Sequence, residues 1–139
     1  SLIGQTGQDI RAKNEYGQYI SMYDIKAPVI VFYIFSYECD NCKKETPKLV
    51  KVINEWKSRG VDCFTLSIDA DEAEWKKYLR ENNMNFHNVF DFQRESKYHL
   101  KYHIDVTPEM YVLNQDRKII ASNINSEQLP SIFERAGLR

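Results

Sequence analysis

The pattern of hydrophobic and polar positions divides the chain into strand-like and helix-like stretches. Val29-Ile30-Val31-Phe32-Tyr33-Ile34-Phe35 is apolar, β-branched and aromatic throughout, the pattern of a central strand covered on both faces. Beyond it Leu49, Val52, Ile53 and Trp56 recur at spacings of three and four, marking one face of a helix over Cys42–Ser58 that Gly60 ends. Val61–Ile68 reads as a second strand, so residues 29–68 form strand, helix, strand, which implies a right-handed crossover and a parallel pair. Asp71–Asn82, with Ala73, Trp75, Tyr78 and Leu79, predicts another helix; Phe86–Phe90 predicts a short strand, and Glu95–His103, with Tyr98, Leu100 and Tyr102, a further short helix. Met110–Leu113 and Lys118–Ala121 flank Asn114-Gln115-Asp116-Arg117 and describe an antiparallel hairpin. A closing helix over Ser126–Ala136 turns Leu129, Ile132 and Phe133 inward, with Asn125 or Ser126 as its cap and Gly137 as its stop. Residues 9–20 alternate imperfectly around the turn-forming Asn14-Glu15-Tyr16-Gly17 and suggest an amino-terminal hairpin at a sheet edge. The sum is an α/β architecture with a mixed sheet.

Composition narrows the picture. The 139 residues contain no repeat and no Pro/Gly/Ser-rich linker, and suit one globular domain over 1–139 with ample core material at 13% aromatic content. With 19 Lys+Arg against 20 Asp+Glu, a net charge of −1 and no basic run, electrostatics favours neither nucleic acid nor an anionic membrane surface. The longest apolar run is far short of the roughly 20 residues that cross a bilayer, so no membrane span is expected. The start, Ser-Leu-Ile-Gly, has no initiator Met and no leader pattern, and reads as a trimmed piece of a longer precursor.

Three cysteines are too few for a disulfide framework, and two of them lie close together in Cys39-Asp40-Asn41-Cys42, between the central strand and the first helix. At a helix start such a pair closes a small disulfide ring without large backbone motion. The helix dipole stabilises a thiolate on Cys39, the exposed nucleophile, while Cys42, one turn deeper, attacks the resulting mixed disulfide and releases the partner. The competing reading is half of a zinc site, which needs two further ligands. Cys63 lies in a predicted buried strand and reads as a small hydrophobe; His99 and His103 share a helix face at i, i+4 without a second close ligand pair, so no metal is assigned. Glu45, one turn past Cys42, either manages a proton during exchange or is an ordinary first-turn carboxylate favoured by the dipole. Lys43 and Lys44 read as solvated charges. Pro47 either bends the predicted helix from within or marks its true beginning.

The stretch Val29–Pro47, with its strand, Cys-x-x-Cys and following Glu-x-Pro, resembles the thioredoxin superfamily, and within it the extracytoplasmic TlpA/ResA-like thiol–disulfide oxidoreductases. A second match is Val106-Thr107-Pro108-Glu109-Met110-Tyr111-Val112-Leu113, similar to the superfamily's loop with a cis-proline before a strand. The resemblance runs from the Gly4 region to the final helix. It implies a thioredoxin-like fold whose central mixed sheet is flanked by helices, with an amino-terminal hairpin and an inserted helix–strand–helix region over Asp69–Ile104. It also implies a kinked first long helix, which makes Pro47 tolerable within it. Cys39 and Cys42 become the catalytic pair, with Glu45 beside them. Pro108 lies against the disulfide without an amide hydrogen, and the Thr107 backbone pairs with an extended substrate segment. The implied partners are disulfide-containing or dithiol proteins and an upstream redox protein that recharges the pair, with no bound cofactor and a periplasmic or otherwise extracytoplasmic location.

The chain departs from the family pattern in two places. Glu38 stands where a Trp commonly precedes the first Cys, and Tyr33 replaces the buried acid common in thioredoxins proper. Glu38 and Asp40 put negative charge on both sides of Cys39, which opposes the thiolate and argues for a reducing, thioredoxin-like potential. Two other function classes stay open. A peroxiredoxin-like thiol peroxidase wants a Thr and Pro upstream of its nucleophile, which Phe35-Ser36-Tyr37-Glu38 does not supply. A nonenzymatic interaction module would use the fold's grooves and tyrosines and leave the cysteines incidental.

Overall fold

In the computed structural model, which describes residues 1–139, the chain runs β1 (Arg11–Asn14), β2 (Tyr19–Ser21), β3 (Val29–Phe35), α1 (Asp40–Trp56), β4 (Val61–Ser67), α2 (Glu72–Glu81), β5 (His87–Phe90), α3 (Tyr98–Lys101), β6 (Glu109–Leu113), β7 (Ile119–Ser122) and α4 (Leu129–Arg135). The seven strands form one mixed sheet in the order β2-β1-β5-β4-β3-β6-β7, the thioredoxin-like arrangement. All seven positions of β3 are buried, as an unbroken apolar run requires. β3 pairs in parallel with β4, from Val29 opposite Val61 to Phe35 opposite Ser67, and antiparallel with β6, where Tyr33 faces Met110. Because β6 runs opposite to β3, its first residues lie at the carboxyl end of β3. That topology brings the segment after Phe35 next to the loop before Glu109, although more than sixty positions separate them in sequence.

The two sheet faces have separate cores. On one, Val29, Val31, Tyr33 and Phe35 meet Leu49 and Ile53 of α1, Trp75 and Tyr78 of α2, and Leu129 and Phe133 of α4. On the other, Ile30, Phe32 and Ile34 meet Ile10 and Met22 of the amino-terminal segment, with Tyr98 and Tyr102. The alternation along β3 has period two, as strand geometry dictates.

Helix boundaries differ from the sequence pattern for local reasons. α1 begins at Asp40, because Cys39 itself caps it, and it continues through Pro47, which removes the reading that the helix begins there. It ends at Trp56; a 3₁₀ turn over Lys57–Arg59 then leads to Gly60, whose φ of 110° suits glycine and whose added Cβ would lie 3.2 Å from Pro28 Cγ. α2 starts after Asp71, whose carboxylate accepts from Glu74 N, and it leaves Ala73 exposed. The predicted helix over Glu95–His103 shrinks to Tyr98–Lys101. The Asp91 carboxylate holds the Glu95 and Ser96 amides in a loop, Lys97 takes a left-handed φ of 58°, and Tyr102 is extended. His99 and His103 therefore do not share a helix face. The last hairpin has its second strand one residue later than predicted, with the Asn114 side chain accepting from Asp116 N and Lys118 N in the turn. The final helix opens with a 3₁₀ turn over Ser126–Gln128, capped by Asn125.

Candidate active site

Cys39 occupies the N-cap of α1, the position whose side chain accepts from the free amides of the first helical turn. Its Sγ lies 3.1 Å from Cys42 N. On its other side the thiol donates to Thr107 O at 3.3 Å. The Thr107–Pro108 peptide bond is cis. Both cysteines are free thiols; Cys39 is half-buried and Cys42 has no exposed surface.

The two thiols are driven apart in acidity. Burial works against the Cys39 thiolate, but hydrogen bonds from the Cys42 and Thr107 side chains and from the Cys42 and Asn41 amides outweigh it, and its pKa falls below the ordinary cysteine value. Burial first, and then the hydrogen bond with Cys39, push the Cys42 thiol up to about 12. One sulfur is thus the more readily ionised, the nucleophile, and the other the one that keeps its proton. Glu38 and Asp40 face water, the Asp40 side chain being 93% exposed and 4.0 Å from Lys43 Nζ, and neither is among the leading causes acting on Cys39. The acidic flank is expected to oppose the thiolate; the hydrogen bonds at Cys39, acting at contact distance, nonetheless bring its pKa down while both carboxylates face water.

Beneath Cys42, three hydroxyls meet inside the core. Tyr33 Oη on β3 and Thr46 Oγ1 on α1 are 2.9 Å apart; Tyr78 Oη on α2 donates to Thr46 Oγ1 at 2.8 Å and lies 3.3 Å from Cys42 O. The rings of Tyr33 and Tyr78 both stack on Phe35, with centroids 5.6 and 5.3 Å away. Burial raises the pKa of Tyr33 far above its usual value and pushes Tyr78 up to about 12, so both phenols keep their protons at neutral pH.

Glu45 lies elsewhere. Its carboxylate accepts from Ser126 N at 2.6 Å, at the start of the last helical segment, and no hydrogen bond joins it to either cysteine. Cys63, fully buried on β4, is held neutral by burial, as its reading as a hydrophobe requires. No group of three or more His, Cys, Asp or Glu is placed to hold a metal ion. His87 instead lies 2.9 Å from Asp62 at the other end of the sheet.

Sequence reasoning missed Asp69. Its buried carboxylate accepts from Ser36 Oγ at 2.6 Å, Tyr37 N at 2.9 Å and Ser67 Oγ at 2.7 Å, and so fixes the loop that delivers Cys39. Tyr37 is tied again through its Oη, which accepts from Asp71 N. The available signal is positional: Ser67 ends and Asp69 follows a strand parallel to β3, hence at the same sheet end, where α/β proteins place their sites.

The sequence matches the AhpC/TSA family over residues 3–122. It is similar to the thiol-disulfide oxidoreductase ResA of Bacillus cereus, 21% identical over 96% of this chain and 78% of that protein. Among solved structures, a domain of a possible thiol-disulfide isomerase from Cytophaga hutchinsonii superposes with a TM-score of 0.89 at 26% identity, covering 99% of this chain and 94% of that one. The thioredoxin domain of a thiol-disulfide oxidoreductase from Bacteroides vulgatus gives a TM-score of 0.88 at 24% identity over 97% of each chain.

Proposed function

The chain belongs to the AhpC/TSA family, and on that premise we propose how its Cys39–Cys42 pair exchanges thiols and disulfides. It is a TlpA/ResA-like thiol–disulfide oxidoreductase of the thioredoxin superfamily, and protein thiols or disulfides are its substrates. The observation that carries the mechanism is the position of Cys39 Sγ as the cap of α1, 3.1 Å from Cys42 N, with a buried partner thiol behind it.

Cys39 attacks one sulfur of a substrate disulfide as the thiolate. A Cys39–substrate bond forms, and the other substrate sulfur departs as a thiolate. Cys42 then loses its proton and attacks Cys39 Sγ; the Cys39–Cys42 bond forms, the mixed disulfide breaks, and the second substrate sulfur leaves. Two electrons pass to the substrate, and a partner dithiol restores the pair by the same exchange in reverse. Thr107, whose carbonyl lies 3.3 Å from Cys39 Sγ, offers backbone to an extended substrate segment, and Pro108 keeps an amide hydrogen away from the sulfurs. Glu45 supports the pair from a distance by joining α1 to the Ser126 turn.

The pair reduces or exchanges client disulfides, with a reducing, thioredoxin-like potential: the hydrogen bonds at Cys39 Sγ are to Cys42 N and Thr107 O, and neither partner is a cation of the kind that stabilises the thiolate of a dedicated oxidant. The likeness to TlpA/ResA-like proteins supports work outside the cytoplasm on exported clients. No helix is long and apolar enough to cross a membrane.

Titration of the pair in defined thiol/disulfide buffers, followed by mass, tests this reading. A single reversible two-electron transition near the thioredoxin potential of about −270 mV is expected. A potential near that of a strong disulfide-forming oxidant, about −120 mV, overturns the reductive direction. Absence of any reversible disulfide overturns the enzymatic reading.

A further inference from the structure

The inserted segment between Asp69 and Ile104 does more than widen the sheet. Its helix α2 sends Tyr78 into the core beneath the redox pair, and the Tyr78 hydroxyl is the group from outside α1 that contacts both the Cys42 peptide and Thr46. Thr46 in turn is bonded to Tyr33 of β3, so three elements meet through hydroxyls at the turn that carries Cys42. A buried hydroxyl placed in this way fixes backbone direction, since a donor left without its acceptor in the interior is costly. Within α1 the same turn is held by Cys42 N donating to Cys39 Sγ and Lys43 N donating to Cys39 O, and Glu45 is engaged by Ser126 N, so Tyr78 adds support from a separate element.

Resting on the exchange reaction proposed above, we infer that Tyr78 is a positioning residue for resolution: acting through the Cys42 carbonyl and Thr46, it holds Cys42 in the place from which it attacks a mixed disulfide on Cys39. The first step of exchange uses Cys39 as the nucleophile, its sulfur held by the amide of Cys42 within α1 itself, a bond that the Tyr78 hydroxyl does not make. The second step needs Cys42 Sγ in line with the bond it breaks, and therefore depends on the turn that Tyr78 holds. Groups facing Cys42 are Cys39 from the cap, Ser36 and Thr107 from the loops on either side, and Tyr33 and Tyr78 from β3 and α2. All three hydroxyls of the cluster are protonated at neutral pH, so the cluster orients Cys42 and does not take its proton. The proton goes to solvent.

The two steps separate in a reaction with an aromatic disulfide, 5,5′-dithiobis(2-nitrobenzoate). Reduced protein attacks it through Cys39, forming a mixed disulfide and releasing one coloured arylthiolate. Cys42 then displaces the second arylthiolate as the Cys39–Cys42 disulfide forms. Two thiols are oxidised and one aryl disulfide is reduced, with the Cys42 proton released to water. In Tyr78→Phe, which keeps the ring on Phe35, the second release is expected to slow by about fivefold, the equivalent of one lost hydrogen bond, with the first release unchanged. Thr46→Val is expected to slow the same phase and Thr46→Ser to keep the parent rate. A Tyr78→Phe protein in which both phases keep their parent rates, or slow together, overturns the inference and leaves the exchange reaction standing. A parent protein that releases no second arylthiolate overturns both.

Discussion

The two faces of the sheet use tyrosine in opposite ways. On the face covered by α1, α2 and α4, the hydroxyls of Tyr33 and Tyr78 converge inside the core on Thr46 and the Cys42 carbonyl. On the other face, Tyr102 Oη donates to Gln8 O at 2.6 Å and Tyr111 Oη to His103 O at 2.7 Å, while their rings pack on Phe32 and on each other. There each phenol sends its hydroxyl outward to pin a loop, and nothing reactive lies within the core. Burial raises the pKa of Tyr33 and Tyr102 alike. Burial and perturbed acidity therefore do not distinguish a site from a scaffold; what distinguishes them is the group at which the hydroxyls converge.

The largest effects belong to the pair itself. Cys39→Ser is expected to abolish catalysed reduction of a disulfide protein by dithiothreitol, a loss of several orders of magnitude to the background rate. Cys42→Ser is expected to accumulate a covalent adduct with the substrate, detectable by non-reducing gel and mass. Equal residual turnover in both variants would remove the division between attack and resolution and favour an interaction module with incidental cysteines. Peroxide consumption by the parent protein should stay at the rate of a free thiol, because Ser36-Tyr37-Glu38 ahead of Cys39 places no Thr and Pro there. Fast peroxide turnover would reassign the chain within its family.

Asp69→Asn comes next. The carboxylate accepts from three donors, and an amide there turns its own N–H₂ toward at least one of them. A loss of about 1–3 kcal/mol in denaturant unfolding is expected, with slower alkylation of Cys39 because its loop is released. Loss of stability with Cys39 alkylation unchanged would make Asp69 part of the scaffold despite its place on the reactive face.

Much of this face was legible in the sequence. The apolar run Val29–Phe35, the helical spacing of Leu49, Ile53 and Trp56, and Cys39-x-x-Cys42 at the junction between them suffice to place a redox pair at a strand end. The meeting of Cys39 with Thr107 was legible through resemblance, since nothing local in Val106-Thr107-Pro108 marks it. Asp69 and Tyr78 were not legible as site residues. Tyr78 reads as one more apolar position on a helix face, and only tertiary placement shows that its hydroxyl reaches Cys42. Glu45 shows the same limit: its spacing from Cys42 fits either a proton carrier or an ordinary first-turn carboxylate, and nothing in that spacing reveals that its carboxylate accepts from Ser126 N, 81 positions away. Glu95–His103 failed as a helix because Asp91 competes for its first amides, a side-chain effect that periodicity does not register.

The pH dependence of the reduced protein should be moderate and of definite sign. An unfolded cysteine gives up its proton near pH 8.5, whereas folded Cys42 holds it to about 12. Between those values the folded chain binds more protons than the unfolded one, so stability falls as pH rises. The disulfide form has no Cys42 thiol to contribute, and its stability should fall less steeply from pH 8.5 to 10.5. Parallel slopes in urea titrations of the two forms would show that Cys42 is not held neutral.

The smallest effect tests the opposite face. Tyr102→Phe keeps the ring contacts with Phe32 and Tyr111, at centroid distances of 4.9 and 5.0 Å, and removes only the donor to Gln8 O. A loss of about 1 kcal/mol is expected, the net value of one such hydrogen bond. The Cys39–Cys42 potential and both phases of arylthiolate release should stay at parent values, since the sheet separates Tyr102 from the pair and no hydrogen bond links their clusters. A similar stability loss in Tyr78→Phe accompanied by slowed resolution would then show one substitution, at equal thermodynamic cost, doing chemical damage on one face and none on the other. If Tyr102→Phe also slows the second release, the sheet transmits strain between its faces, and the hydroxyl cluster under Cys42 loses its special standing.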